Sequence, residues 1–284
     1  GGNLFEPFRS VFNENRLMAA KDSVTSGGNP FLYSGHGTSV WSTIASDYQG
    51  FIGTAPKAAF ILCVTEDVTS EYRIEEYNWL IAAEYADSLG ADIISSSLGY
   101  SDFSDVSMDY TYEDMDGQTT IITRASNLAI KKGLLVITSA GNEGNDSWRY
   151  ITAPADGPDN ISVGSVKSDY NISAFSSQGP TVDDRIKPDL VALGQGTTLL
   201  TSNGSISQAN GTSFSAPLIA GFSAGIWQAH PEFTNLEVVD HLRHLGTRFE
   251  DPDNYFGFGI PIYLTAEDSL IETDTTMLAL SEFA

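Results

Sequence analysis

The chain has 284 residues, of which 41% are hydrophobic and 11% aromatic, which suits one large folded domain and argues against disorder. It carries 14 basic and 37 acidic residues, a net charge of −23, which repels phosphate backbones and anionic lipid surfaces, so nucleic acid is not expected as a partner. No apolar run approaches the roughly 18 residues of a membrane span, so membrane insertion is not expected either.

The first 35 residues are rich in glycine and asparagine and are predicted to form mostly loop. Asp22 is the only aspartate ahead of His36, and its surroundings favour a structural role. A glycine-flanked turn then carries His36 and leads into a helix predicted for residues 40–45.

From residue 58 onward, apolar strands alternate with helical patterns. The predicted order is strand 59–65, helix 70–89, strand 91–97, helix 120–132 and strand 134–139. In the first of these helices, Ile74, Tyr77 and Ile81 recur at helical spacing. This alternation predicts an α/β fold in three layers with a mainly parallel central sheet. The only cysteine, Cys63, lies in strand 59–65, which excludes an intrachain disulfide.

Ligands of such sheets bind beyond the carboxyl ends of the strands. Ser97 ends one predicted strand and is followed by Leu98 and Gly99, and Asn142 follows another strand closely. We therefore expect these residues to border one cleft.

An acidic insertion occupies residues 101–118. Two interpretations remain open, a solvated loop and a calcium site at the cleft. Residues 114–117 resemble part of an EF-hand loop, but Tyr112 and Thr123 stand where its first and twelfth ligands belong. The solvated loop is therefore favoured.

A turn of small residues at 210–212 opens onto a helix predicted to run from Ser213 to Ala229. The first N–H groups of a helix lack partners within it, so a serine there can attack a carbonyl while its own N–H holds the resulting oxyanion. Pro217 is assigned to the first helical turn, where a missing N–H costs little.

Three motifs carry a resemblance to a known family. They are Ser34-Gly35-His36-Gly37-Thr38, Ser139-Ala140-Gly141-Asn142 and Gly211-Thr212-Ser213-Phe214-Ser215-Ala216-Pro217. In this order they resemble the subtilisin-like serine proteases, or subtilases, over roughly residues 30–262.

The resemblance implies a subtilisin-like fold and a serine endopeptidase that acts on polypeptides. It implies that Ser213 is the nucleophile, that His36 is the general base, and that Asn142 supplies an oxyanion donor beside the Ser213 N–H. The resemblance implies that the chemistry needs no cofactor. It is compatible with structural calcium, and it implies an extracellular or cell-envelope location.

The resemblance also implies two substrate-binding segments. Ser97, Leu98 and Gly99 would pair with the substrate backbone as an added strand. Ser139, Ala140 and Gly141 would line the primary specificity pocket. Because these three residues are small and uncharged, the pocket is expected to accept a sizeable apolar side chain.

One departure from the family pattern concerns the third member of the triad. Subtilases carry an Asp at the end of a buried strand ahead of the His, and no such strand is evident here. We therefore expect a peptidase domain at 1–264 that lacks this strand, with a propeptide or further domains missing from the chain. Residues 265–284 are expected to be an acidic tail or linker, or a strand packed on the core.

Two other functions compete with an active protease. The residues Gly221-Phe222-Ser223-Ala224-Gly225 fit the nucleophile elbow of α/β-hydrolases, but Ser223 falls inside a predicted helix, which disfavours it. The second competitor is a catalytically impaired subtilase scaffold that binds peptides or a partner, because loss of the Asp charge lowers kcat by about 10⁴ in triad enzymes.

Overall fold

The computed structural model describes residues 6–31 and 34–263 and, for the backbone alone, residues 277–280. The helices of these ranges are α1 (Arg9–Asn13), α2 (His36–Ala45), α3 (Ile74–Ser88), α4 (Ile121–Lys131), α5 (Thr212–Ala229) and α6 (Asn235–His244). The strands are β1 (Leu17–Asp22), β2 (Asp47–Tyr48), β3 (Phe51–Ile52), β4 (Ala59–Val64), β5 (Ile93–Ser96), β6 (Leu135–Ser139), β7 (Ile161–Val166), β8 (Leu190–Leu193), β9 (Gln195–Leu200), β10 (Ile206–Asn210) and β11 (Met277–Leu280).

Seven strands form one sheet in the order β1-β4-β11-β5-β6-β7-β8. Every neighbouring pair in it is parallel, which confirms the predicted α/β fold. The pairs β9–β10 and β2–β3 form two small antiparallel hairpins. The prediction of mostly loop before residue 36 is wrong for β1, which pairs with β4 along the edge of the sheet.

The central strands are covered on both faces, as continuous apolar runs require. Phe60 and Leu62 of β4 belong to the core shared with α2, α5 and α6. Ile61 and Cys63 of the same strand belong to the core shared with α3 and α4. The molecule therefore has the predicted three layers. Burial raises the pKa of the Cys63 thiol to about 12.

Helix α3 is confirmed, but the three apolar residues that predicted it do not lie on its buried face. Ile74, Tyr77 and Ile81 are 61%, 48% and 43% exposed. The core side of α3 is instead formed by small residues and by Trp79, whose indole N–H donates to Ser96 Oγ at 2.8 Å. Three apolar residues at helical spacing therefore predicted the helix correctly without showing which face is buried.

The acidic insertion is more ordered than a solvated loop. Phe103, Tyr110 and Met115 are buried in the core that contains α3 and α4. At its end, the Gly117 N–H donates to the buried carboxylate of Asp156 at 2.8 Å. The preference for a solvated loop is therefore wrong for the apolar residues of the insertion.

Strand β11 lies between β4 and β5 and runs parallel to both. Of the expectations for residues 265–284, a strand packed on the core therefore describes residues 277–280. The division predicted after residue 264 falls outside the described residues and stays a prediction. No helix in the described part of the chain is both long enough and apolar enough to cross a membrane.

Candidate active site

The turn before α5 is held by its backbone. Gly211 has a φ of +152°, a conformation that favours glycine, and its N–H donates to the carbonyl of Gly194 at 2.8 Å. Helix α5 begins at Thr212, so the N–H of Ser213 has no preceding helical carbonyl as a partner. The hydroxyl and the N–H of Ser213 therefore lie at the start of a long helix, as predicted.

Pro217 is the sixth residue of α5, beyond the first turn to which the sequence assigned it. In a helix interior, proline leaves the carbonyl four residues earlier without its N–H donor. That carbonyl belongs to Ser213, and it accepts a hydrogen bond from Ser97 Oγ at 2.8 Å. Ser97 of the predicted substrate segment thus replaces the helical donor that Pro217 lacks. This hydrogen bond connects the segment to the backbone of the candidate nucleophile.

The carboxamide of Asn142 is anchored next to Ser213. The backbone N–H of Thr212 donates to Asn142 Oδ1 at 2.9 Å, and the Thr212 hydroxyl lies 3.1 Å from the same oxygen. Because an N–H donor requires the carbonyl end of the amide, this contact assigns the orientation of the side chain. The NH₂ group of the exposed Asn142 is left as the donor.

His36 is the first residue of α2, which begins four residues earlier than predicted, so His36 lies in the helix and not in the turn before it. The helix is fixed to strand β9 by two of its serines: Ser39 Oγ donates to the Leu200 carbonyl at 2.8 Å, and Ser42 Oγ accepts from the Leu200 N–H at 2.9 Å. The ring of His36 lies 5.7 Å, centroid to centroid, from that of Phe214, the residue after Ser213. The predicted base therefore lies beside the residue that follows the predicted nucleophile, and its pairing with Ser213 stays a prediction.

The two predicted substrate-binding segments touch each other. Ser139 Oγ donates to the carbonyl of Leu98 at 3.1 Å. A Cβ at Gly99 would collide with the Thr152 hydroxyl, so this close approach requires glycine. Of the six residues in these segments only Gly99 is exposed, and Ala140 is fully buried with Ile151 and Ala155.

Glu143 directly follows Asn142 and was not among the predicted site residues. Its carboxylate accepts a hydrogen bond from Ser177 Oγ at 2.8 Å, and its N–H donates to the same hydroxyl at 3.0 Å. A Cβ at Gly141 would collide with this carboxylate. Burial raises the pKa of Glu143, and the charge of Asp102 adds to that effect. The region beside Gly141 therefore contains an acid.

A cavity of about 400 Å³ opens between the acidic insertion and the loop after Asn142. Four of its lining residues carry carboxyl groups: Asp102, Asp109, Glu143 and Asp146. Its other lining residues are Ser101, Tyr110, Ser147 and Trp148. The described lining therefore contains acids and no basic side chain. The sequence contains a signal for this acid-lined cavity, since the insertion and residues 143–146 are both acidic.

Two interpretations of other residues can be decided from their contacts. Ser223 is fully buried in the middle of α5, and its hydroxyl donates to the carbonyl of Ile219 at 2.7 Å. It is therefore not the exposed serine of a nucleophile elbow. The Asp22 carboxylate accepts hydrogen bonds from the N–H groups of Val24 at 2.9 Å and Thr25 at 2.8 Å, so it stabilises its own turn.

The hydroxyl of Ser213 thus lies at a helix N-terminus beside an anchored carboxamide, in an α/β protein with a parallel central sheet. The comparisons specify the family. The model of the family described as "Subtilase family" matches residues 12–259, so the chain belongs to that family.

Curated relatives support the same assignment. Subtilisin E of Bacillus subtilis (strain 168) is 32% identical over 246 residues, which cover 84% of this chain and 57% of that protein. Serine protease AprX of the same organism is 31% identical over 288 residues, covering 90% and 62%. The chain thus spans about three fifths of the length of these two relatives.

Solved structures show the same fold. Sphericase superposes with a TM-score of 0.69 at 23% identity, covering 91% of this chain and 87% of that one. MycP1 with its N-terminal propeptide removed gives a TM-score of 0.66 at 24% identity, covering 87% and 86%.

Proposed function

We propose that this chain is the catalytic part of a serine endopeptidase of the subtilisin type. Ser213 attacks the scissile carbonyl as His36 takes its proton, and an acyl-enzyme forms. The N–H of Ser213 and the amide of Asn142 stabilise the oxyanion, and His36 then protonates the leaving amine. Water repeats these steps to release the acid product.

The hydroxyl of Ser213 requires one rotation before this reaction. It donates to the carbonyl of Ser97 at 3.3 Å, a weak hydrogen bond at the long end of the normal range. Rotation about the Cα–Cβ bond releases it toward His36. The substrate segment and the nucleophile are therefore in contact before any substrate arrives.

The observation that carries the proposal is the hydrogen bond from the Thr212 N–H to Asn142 Oδ1. A carboxamide that is fixed through its oxygen presents its NH₂ group in a set direction. Preorganised donors of this kind stabilise a developing oxyanion without reorganising during the reaction. Asn142→Ala should therefore lower kcat by about 10² to 10³, with little change in KM.

The test is steady-state hydrolysis of a chromogenic peptide by the wild type, Asn142→Ala and the control Asn145→Ala. Asn145 lies exposed in the same loop, so its replacement should leave both constants unchanged. A higher KM with unchanged kcat in Asn142→Ala would contradict the role given to this amide, because it would indicate ground-state binding only.

We also propose that the enzyme prefers substrates with a lysine or arginine near the scissile bond, while the apolar side chain expected in the primary pocket stays a prediction. Support comes from the acid-lined cavity beside Asn142. A cationic side chain there would offset carboxylates that repel one another. Competition between peptides that differ only in Arg, Lys, Leu or Glu at each position tests this; equal rates for Arg and Leu peptides would contradict it.

The impaired scaffold is kept as a second candidate because Asp22, the aspartate ahead of His36, is engaged in its own turn. That candidate predicts peptide binding without hydrolysis, and binding that Ser213→Ala leaves unchanged. Hydrolysis by this chain that Ser213→Ala abolishes would decide for the protease.

For location we propose an extracellular or cell-envelope setting, and for partners a propeptide or additional domains. Membership of the subtilase family and a solved structure described by its removed N-terminal propeptide support the propeptide, and the likeness to subtilisin E supports the location. Fractionation of the producing cells, with the protein detected by antibody, tests the location.

A further inference from the structure

Three glutamates meet where β4 leads into α3. Glu66 and Glu71 belong to the connecting loop, and Glu75 lies in the first turn of α3. One carboxylate oxygen from each residue lies within 4.8 Å of those from the other two. Three negative charges this close repel one another strongly when they are partly removed from water.

Glu75 is the member that makes this more than an acidic surface. Its side chain is only 1% exposed, and neither of its carboxylate oxygens accepts a hydrogen bond of normal geometry, although the carboxyl of Glu66 and the backbone N–H groups of Asp67 and Tyr72 lie nearby. The next residue, Glu76, provides the contrast. It is equally buried, but it accepts hydrogen bonds from the Tyr110 hydroxyl and from the N–H of Ile122. A buried carboxylate without a donor is costly unless a cation lies beside it.

The neighbouring groups orient the other two glutamates. The Tyr100 hydroxyl lies 2.8 Å from both oxygens of Glu66, and Thr65 Oγ1 donates to Glu66 at 2.9 Å. Hydroxyl donors behind a carboxylate are a usual second layer around a bound metal. Glu71 is fixed through its backbone, whose N–H and carbonyl both bond to Ser104 of the insertion.

We propose that Glu66, Glu71 and Glu75 bind one calcium ion. Calcium takes oxygen ligands at about 2.3–2.6 Å, so two ligand oxygens of one ion lie up to about 5 Å apart, which includes this cluster. Magnesium requires about 2.0–2.1 Å and a regular octahedron, and the softer metals prefer nitrogen or sulfur ligands. The all-carboxylate set and its spacing both favour calcium.

The ion would stabilise the edge of the substrate cleft. Tyr100, which holds Glu66, directly follows Ser97, Leu98 and Gly99, and its backbone pairs with Ala153. A cation bound to the three glutamates therefore connects the loop after β4, the start of α3 and the substrate segment. This site is separate from residues 114–117, whose likeness to an EF-hand fails.

Calcium binding is measured by calorimetry after chelation, in a Ser213→Ala background that prevents self-cleavage. When Glu75→Gln is combined with Ser213→Ala, the protein should bind one equivalent of calcium less, or its affinity for that ion should fall at least tenfold. The matched control is Glu84→Gln, an exposed glutamate of the same helix, which should bind as the background does. Calcium should raise the melting temperature of the background and the control by more than that of Glu75→Gln.

Several results would overturn the proposal. One is unchanged stoichiometry and affinity in Glu75→Gln, and another is tighter binding of magnesium than of calcium. A third is no calcium binding together with a higher melting temperature for Glu75→Gln in chelator, which would indicate that the cluster holds a shared proton. Should Glu75→Gln fail to fold, Glu71→Gln replaces it, since Glu71 is not buried and the same loss of calcium is expected. These readouts do not depend on protease activity.

Discussion

Replacement of Asp189 by Asn tests how the nucleophile turn is supported. Asp189 is 1% exposed, and its Oδ2 accepts hydrogen bonds from Lys187 Nζ at 2.7 Å and from the N–H and hydroxyl of Ser162 at 2.8 Å. Its Oδ1 accepts from Arg243 Nη2 at 2.6 Å. Strand β8 begins one residue later, and Gly194, just beyond it, holds Gly211.

The expected loss of stability can be worked out in two ways. Burial alone would raise the pKa of Asp189, but the charges of Lys187 and Arg243, with the hydrogen bonds, bring it down to about 2 from an ordinary 3.8, which corresponds to about 2 kcal/mol. Asparagine also leaves two cations without their anion, and breaking a buried pair costs about 3–5 kcal/mol. Asp189→Asn should therefore lose about 2–5 kcal/mol of unfolding free energy.

The assay is urea unfolding at pH 7 in the Ser213→Ala background. Asp240→Asn is the control: its carboxylate lies 3.8 Å from the same Arg243 but is 72% exposed, so its loss should stay below about 1 kcal/mol. Because the pKa of Asp189 is lowered on folding, its contribution is complete above pH 3.8 and is lost as the pH falls toward 2. A loss under 1 kcal/mol for Asp189→Asn, or equal acid sensitivity of variant and background between these pH values, would refute the reasoning.

Three further variants test the site itself. Thr212→Val keeps the hydrogen bond from the backbone N–H to Asn142 but removes a buried hydroxyl beside it. Because about one hydrogen bond is lost, kcat should fall about tenfold at unchanged KM. An unchanged kcat would contradict this. Ser97→Ala leaves the Ser213 carbonyl without its donor, and should lower unfolding free energy by about 1–3 kcal/mol in urea titrations; an equally stable variant would count against the compensation of Pro217. Glu143→Gln should reduce the preference for Arg over Leu peptides several-fold. Because burial raises the pKa of Glu143, the wild-type preference should grow as the pH rises above 4.5, and this rise should be absent from the variant.

The sequence predicted the elements that depend on local chemistry. Turns of small residues followed by apolar runs located α2 and α5, and continuous apolar runs located β4 and β6. These signals suffice because a parallel sheet buries its central strands on both faces. The positions of Asn142 and Ser97 followed from the same rule, since carboxyl ends of parallel strands share one edge.

Other features depend on tertiary contacts that leave no local pattern. Strand β1 contains alanine and lysine, which are poor strand formers, and it is defined by pairing with β4. The partner of the Ser213 carbonyl is Ser97, which is 116 residues away in the chain. Glutamate is normally a surface residue, so the burial of Glu75 and the partial burial of Glu143 were not predictable from their types.

The central claim, that Ser213 is an activated nucleophile, is tested most directly by mass spectrometry after reaction with a fluorophosphonate. We expect a single adduct on Ser213, which Ser213→Ala abolishes and His36→Ala strongly slows. If the folded chain forms no adduct, the protease proposal is wrong and the peptide-binding scaffold takes its place.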